Sequence, residues 1–499
     1  MDQFTFDIKI VADGKPLVDI RDFSLQRNRV TILLGESGIG KSLSSRGIYG
    51  FLDRSELTVT VNGLAYEDYL HTDQVRGIRR DGFFVFQEPS SHLNPLMTLA
   101  DQIGEGSFSG VPGMPEVLRT LWEGTSGEDL DSILSIYPKP YRPSGGEKQR
   151  ILLAMALEKI DMLPDSPTPE ALFVFDEPSG SLDNQYRDLF LSLLLDRYRK
   201  RPFTVLLITH DYSMISRISG WHRDIMDKVQ FRELTRGECG LAFHDFQPGT
   251  YTAWVDDLRR SAESRRAPHG QEPLLTIEPR LEVFGRTLVI TKDPGGKIPE
   301  RLAVPPGRMV FVKAPSGTGK TTLVKRVMGL IQEGAFEATL KGMPLTGETP
   351  RRFWQEQVWG KRMTMVFQHA DEALNMHSTM RKTLLGLPLR VPLTSKGLSR
   401  LIGDLFEGSE AGVLLDKNIR LLSGGQKQRL NLLRGLALDT DVLILDEPLN
   451  GLDFESATKV ISMLLRKMEA GMGLLVISHN EEIFDALAGA DQTYYLHAV

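Results

Sequence analysis

Six short apolar runs punctuate the chain: Val30 to Leu34, Leu172 to Phe175, Val205 to Ile208, Met309 to Lys313, Val442 to Leu445 and Leu474 to Ile477. Each is rich in Val, Ile, Leu or Phe and almost free of polar positions, the pattern of a strand covered on both faces. Stretches of helical period separate them. That alternation predicts α/β domains built on mainly parallel sheets. In each half a more helical insertion lies between a glutamine that closes one strand and a Ser-Gly-Gly triplet.

The runs also occur in two matching sets. GESGIGKS at Gly35 to Ser42 returns as APSGTGKT at Ala314 to Thr321, and VFQEPSSHLNP at Val85 returns as VFQHADEALNM at Val366. SGGEKQR at Ser144 returns as SGGQKQR at Ser423, FVFDEPSGSLD at Phe173 as LILDEPLNGLD at Leu443, and LLITHD at Leu206 as LVISHN at Leu475. Five landmarks in one order make an internal duplication. The polar, turn-forming run Leu258 to Pro273 separates the copies, so the expected organisation is a first domain over 1–258, a linker over 259–273 and a second domain over 274–499.

Each landmark has a chemistry. Gly35, Glu36, Ser37, Gly38, Ile39, Gly40, Lys41 and Ser42 form G-x-x-x-x-G-K-S between a strand and a helix, the setting of a phosphate-binding loop. Its backbone N–H groups and helix N-terminus suit an anion, Lys41 suits the β and γ phosphates of ATP, and Ser42 suits Mg2+. The second copy is Ala314, Pro315, Ser316, Gly317, Thr318, Gly319, Lys320 and Thr321, with alanine in place of the first glycine. A Cβ there is tolerated where φ is negative.

The strands ending in Asp176-Glu177 and Asp446-Glu447 deliver paired carboxylates to the carboxyl edge of a sheet, where open α/β sheets bind ligands. Asp176 and Asp446 are candidates to hold Mg2+. Glu177 and Glu447 are candidates to polarise the attacking water. Gln87 and Gln368, each closing a strand, are placed to sense metal and water, and His210 and His479 to bond a γ-phosphate. Ser144, Gly145, Gly146 and Ser423, Gly424, Gly425, Gln426 offer a hydroxyl, glycine amides and a helix N-terminus to a phosphate.

Composition removes several alternatives. A formal net charge of −6 gives no electrostatic case for nucleic-acid binding. The single cysteine, Cys239, rules out an internal disulfide and any four-cysteine cluster. The first residues, MDQFTFDIKI, lack the basic and apolar regions of a signal peptide, and no apolar run approaches the roughly 18 to 20 residues of a membrane-spanning helix. A cytoplasmic chain without direct membrane insertion is expected, peripheral to any membrane through a partner.

The Ser-Gly-Gly helices, with the phosphate loops, carboxylate strands and histidine motifs, resemble the ABC ATPase superfamily. Ser181 to Asp183 and Asn450 to Asp453 match that family's D-loop. The resemblance implies two tandem P-loop NTPase domains, each with a mainly parallel core sheet and a helical signature subdomain. VFQEPSSHLNPLMTLADQI at Val85 to Ile103 looks like the ATPases of dipeptide, oligopeptide and nickel importers, although the C-terminal extension common in that subfamily is not expected here. That family also commonly stacks an aromatic residue under adenine, and none stands near Val11 or Ile290.

The resemblance further implies head-to-tail ATP sites. Site 1 would join Lys41, Ser42, Gln87, Asp176, Glu177 and His210 to Ser423, Gly424, Gly425 and Gln426. Site 2 would join Lys320, Thr321, Gln368, Asp446, Glu447 and His479 to Ser144, Gly145, Gly146 and Glu147. Ala314, Pro143 and Glu147 all depart from the family pattern at site 2, so site 1 is the expected stronger hydrolase. The implied function is the ATPase motor of an importer of the peptide or nickel class, with integral membrane permease subunits and a substrate-binding protein as partners. The alternatives are a soluble ABC ATPase without a permease, either a metabolic accessory of the phosphonate-degradation type or a ribosome-associated factor. A protein that binds ATP without hydrolysing it is opposed by Glu177 and Glu447.

Overall fold

The computed structural model describes residues 3–499 apart from 107–115, 123–132, 137–142, 165–169, 181, 183, 238–239, 265–270, 316, 390–391 and 407. Much of the first half's insertion, D-loop residues Ser181 and Asp183, Ser316 of the second phosphate loop, Cys239 and part of the expected linker therefore lie outside the described residues. The chain forms two compact units, Met1–Pro248 and Gly249–Val499.

All six apolar runs are central strands. In the first unit the sheet order is Gly240–Asp245, Val229–Gly237, Val30–Gly35, Thr204–Ile208, Leu172–Asp176 and Phe83–Val85. All neighbours are parallel except the edge hairpin of the first two strands. In the second unit the order is Arg280–Val283, Arg286–Thr291, Thr493–Ala498, Met309–Lys313, Gly473–Ile477, Val442–Asp446 and Met363–Val366, with the last five parallel. Both units thus set the phosphate-loop strand beside the histidine strand, then the carboxylate strand, then the glutamine strand. Every strand of that set leads to its motif at the same edge.

Each unit also carries a four-stranded antiparallel sheet. In the first, Gln3–Ala12 lies between Lys15–Gln26 and Thr58–Val61. Its alternation is plain, with Phe4, Phe6, Ile8 and Ile10 buried while Gln3, Thr5, Asp7 and Lys9 face water. Those apolar side chains share one core with Leu33, Val174, Leu206 and Ile208 of the parallel sheet. In the second unit Leu275–Ile277 pairs with Leu302–Val304 and Glu337–Leu340 over an equivalent core.

The helix Pro248–Ser264 lies on the second unit's side of the division, and overlaps the start of the polar run at Leu258. Among the described residues no helix is long and apolar enough to cross a membrane.

Candidate functional site

The first phosphate loop needs its glycines. Gly35 has φ +138, and a Cβ there would lie 2.6 Å from the Leu234 carbonyl oxygen. Gly40, φ +117, starts the helix Lys41–Tyr49. In the second unit Gly319, φ 108, starts Lys320–Val327, and Ala314 is not among the residues with positive φ. The alanine is accommodated by a different backbone at the loop's first position, where it packs against the second unit's core.

Both lysines are folded onto their loops. Lys41 Nζ donates to the carbonyls of Gly35 (2.6 Å) and Glu36 (2.9 Å), and Lys320 Nζ to those of Ala314 (2.6 Å) and Pro315 (3.5 Å). Each ammonium therefore hovers over the loop's anion-binding hollow.

Across the loop, Ser42 Oγ donates to Asp176 Oδ1 at 2.7 Å. Asp176 and Asp446 are almost fully buried, and in each the Oδ2 atom has no hydrogen-bond partner. Burial pushes both carboxyls up to about 6, against the lowering bonds from Ser42 and Thr321. Asp176 Oδ2 has the Arg46 guanidinium near it, at 3.8 Å, and a buried carboxylate beside a hydroxyl suits a hard divalent cation. No group of three or more His, Cys, Asp or Glu gathers among the described residues, so any such ion would need phosphate oxygens to complete its shell.

The two glutamates follow their strands in the left-handed region, each with φ 49, while the backbone N–H of each donates to the neighbouring histidine strand. For a non-glycine residue that conformation is strained, and such strain clusters at functional positions. From there the halves diverge. Glu177 Oε2 lies 2.9 Å from His210 Nδ1. Burial raises the Glu177 carboxyl, but the charge and hydrogen bond of His210 outweigh it and hold it low; His210 is correspondingly raised. Glu447 instead accepts from Ser478 Oγ (2.9 Å) and His479 N (3.0 Å), with His479 Nε2 3.6 Å away. Burial wins there and pushes Glu447 up to about 7.

The glutamines stand two residues past the ends of their strands, Gln87 exposed and Gln368 half-buried. Behind them the signature helix is tied to the same segment in both units, by Lys148 Nζ to Ser90 Oγ and by Lys427 Nζ to Asp371 Oδ1, each at 3.2 Å. A shift of either glutamine segment would therefore pull on its signature helix.

The signature serines cap their own helices. Ser144 Oγ accepts from Glu147 N while Glu147 Oε2 accepts from Ser144 N at 2.5 Å, and Ser423 with Gln426 repeats this capping box. Glu147 is buried and turned back on its own helix N-terminus. Within each unit, then, loop, carboxylates, glutamine and histidine meet at one sheet edge, while Ser144 and Ser423 bond along their own helices.

The ABC transporter family profile matches residues 18–168 and again 300–450. The chain belongs to the ABC transporter family. Like the family's other ATP-binding proteins, this ABC protein binds ATP and is an ATPase. The glutathione import ATP-binding protein GsiA of Escherichia coli (strain K12) is 26% identical to it over 542 residues, covering 98% of this chain and 84% of the relative. The GsiA of Escherichia coli O1:K1 / APEC is 27% identical over 526 residues, covering 95% and 81%. Among solved structures, the RNase-L Inhibitor matches with a TM-score of 0.56 at 19% identity over 95% of this ABC chain and 86% of that one. The archaeal ribosome recycling factor aABCE1, in complex with stalk protein aP1, gives 0.58 at 19% over 95% and 86%. Those two show the tandem fold alone.

One candidate escaped the sequence reading of this ABC chain. Phe284 is 63% exposed on the turn joining Arg280–Val283 to Arg286–Thr291. The following strand sets Leu288 against the phosphate loop, 3.5 Å from where a Cβ on Gly319 would be. In the first unit Val18 takes that place beside Gly40, and the matching turn is Asp13-Gly14, with the same paired positive φ as Phe284-Gly285. Only the second half thus presents an aromatic face at this turn. In the sequence its only trace is the pair Phe284-Gly285 between two strand-forming runs. Stacking under a base is worth about 1–3 kcal/mol. With the first loop silenced by Lys41→Ala, Phe284→Ala should weaken ATP binding about tenfold, measured by equilibrium titration. Unchanged affinity would remove Phe284 from the base site.

Proposed function

We propose that the chain is the ATP-hydrolysing motor of a membrane importer of the peptide class, working on the cytoplasmic face through permease subunits fed by a substrate-binding protein. The observation that carries this reading is likeness to a glutathione import ATP-binding protein over 98% of the chain, both halves included. Together with the family, it favours two ATP sites, each pairing one half's phosphate loop with the other half's signature serine and glycines.

In site 1, Lys41 would exchange its two loop carbonyls for phosphate oxygens. Glu177, held ionised, would accept the proton of the attacking water, and His210, with Nδ1 turned to Glu177, has Nε2 left for the γ-phosphate. Ser42, Asp176 and Gln87 would hold Mg2+ here, and Thr321, Asp446 and Gln368 in site 2. Bound Mg2+ supplies charge neutralisation across the β and γ phosphates. Ser423 and the amides of Gly424 and Gly425, at a capped helix N-terminus, would complete site 1 from the opposite half.

The permease contact would lie on the helical insertions, Pro95 to Lys139 and Met376 to Arg420. In the second, Leu385 (49%) and Val413 (73%) are exposed, and in the first Leu96 is 82% exposed on the segment after Gln87. In this reading the permease would cover these apolar side chains. The double variant Leu385→Asp, Val413→Asp should bind and hydrolyse ATP as the parent does, yet lose most co-purification with the co-expressed permease. Retained co-purification would move the contact elsewhere, and failure of the parent chain to associate with any membrane protein would overturn the importer reading.

A further inference from the structure

We infer that the helix joining the two halves, Pro248–Ser264, is a brace that positions the D-loop and His479 of the second half, with Tyr251 as the positioning residue. The helix is amphipathic, and Tyr251, Val255 and Leu258, spaced for one face, are buried. Its partners sit at two helix starts. Tyr251 and Trp254 pack edge-on against Phe454, with ring centres 6.1 and 5.4 Å away. Phe454 directly follows Asp453, which caps the helix Phe454–Glu469 by accepting from Ser456 N. Tyr251 Oη donates to Glu482 Oε2 at 3.0 Å, and Arg259 lies 3.8 Å from the other oxygen of the same carboxylate. Glu482 belongs to Glu481–Ala488, the helix that begins just after His479.

That second helix also reaches the phosphate loop. Lys313, the residue before Ala314, bonds Asp485 at 2.6 Å and lies 3.2 Å from Glu481. One helix from outside the repeat therefore grips the starts of the two helices that carry the D-loop and the histidine, and through the second it is linked to the loop that holds ATP.

The duplication supplies an internal control. In the first half, Asn184 and Ser213 stand where the second has Phe454 and Glu482, and neither offers a docking ring or carboxylate. The first half ties the same two helices internally: buried Arg187 bonds Asp211, beside His210, at 2.6 Å and Ser213 at 3.1 Å. In the second half Ala457 and Asn480 replace Arg187 and Asp211, so that tie is missing. The joining helix restores it by another route.

The inference rests on Glu447 being the second half's catalytic carboxylate. The test is steady-state ATPase of the full chain, carrying Tyr251→Phe, in two backgrounds. In Glu177→Gln, where only the second half's glutamate remains, Tyr251→Phe should lower kcat about fivefold with KM for ATP little changed, the rate equivalent of one lost hydrogen bond. In Glu447→Gln it should change kcat by less than about twofold. Glu482→Gln, which still accepts from the tyrosine, should keep most activity, while Glu482→Leu should behave as Tyr251→Phe does. Tyr251→Phe is isosteric, and an unchanged Tm separates positioning from unfolding. Equal losses in both backgrounds, or none in either, would overturn the brace. Full activity of Glu447→Gln together with none left in Glu177→Gln would instead overturn the reading it rests on.

Discussion

Glu177→Gln is expected to leave about a tenth of the ATPase activity, whereas Glu447→Gln leaves most of it; a tenfold difference corresponds to about 1.4 kcal/mol between the two barriers. The first substitution removes a carboxylate that is ionised and 2.9 Å from its histidine. The second removes one whose charge burial disfavours and whose bonds run to Ser478 Oγ and the His479 backbone, with the imidazole 3.6 Å away. Site 1 also has Gly35 in its left-handed conformation, where Ala314 cannot follow. Glu147, the other departure, is engaged with Ser144 in the capping box of its own helix. The expected difference rests on the loop and on the glutamate environment. Steady-state turnover of the two single variants, with permease present if the isolated chain is silent, decides it. Equal losses, or a larger loss from Glu447→Gln, would mean that the sites fire as one unit or that site 2 leads.

What the residues disclosed beforehand follows from how each feature is encoded. A parallel strand covered on both faces must be apolar throughout, so Leu172–Asp176 and Val442–Asp446 announce themselves, and so do the carboxylates at their ends. A position at φ +138 where an added Cβ would meet a carbonyl at 2.6 Å admits only glycine, and is likewise visible as a motif. Helix Pro248–Ser264 was less legible, because its apolar face is only Tyr251, Val255 and Leu258 and its end runs into a polar stretch that reads as linker. What it packs on, Phe454 and Glu482, is some two hundred residues away and carries no periodic signal. Phe284 was hidden for another reason. Its meaning depends on a hairpin register that brings Leu288 to Gly319, and register is a property of pairing, not of local composition. The difference between Glu177 and Glu447 hinges on a ring orientation and on Thr209 versus Ser478, which the motifs THD and SHN record as near-equivalents.

Gly424→Asp, made in the Glu447→Gln background, should abolish the activity that remains, although Gly424 lies in the other half from Glu177. The position is exposed, and a Cβ added there meets nothing within 4 Å, so the fold has no reason to object. What changes is charge at the helix N-terminus that site 1 would offer to the γ-phosphate. An aspartate about 5 Å from a multiply charged phosphate, at an effective dielectric near 20, costs roughly 3 kcal/mol per unit of phosphate charge, at least a hundredfold in rate. Gly145→Asp, at the exposed matching position of the first half, should leave the same background nearly untouched, since it would face site 2. The comparison separates two arrangements. If each half hydrolysed ATP against its own signature, Gly145→Asp would silence Glu177 and Gly424→Asp would be harmless. Only pairing across the halves makes the distant glycine the fatal one, and single-turnover ADP formation by the two double variants reads the difference directly.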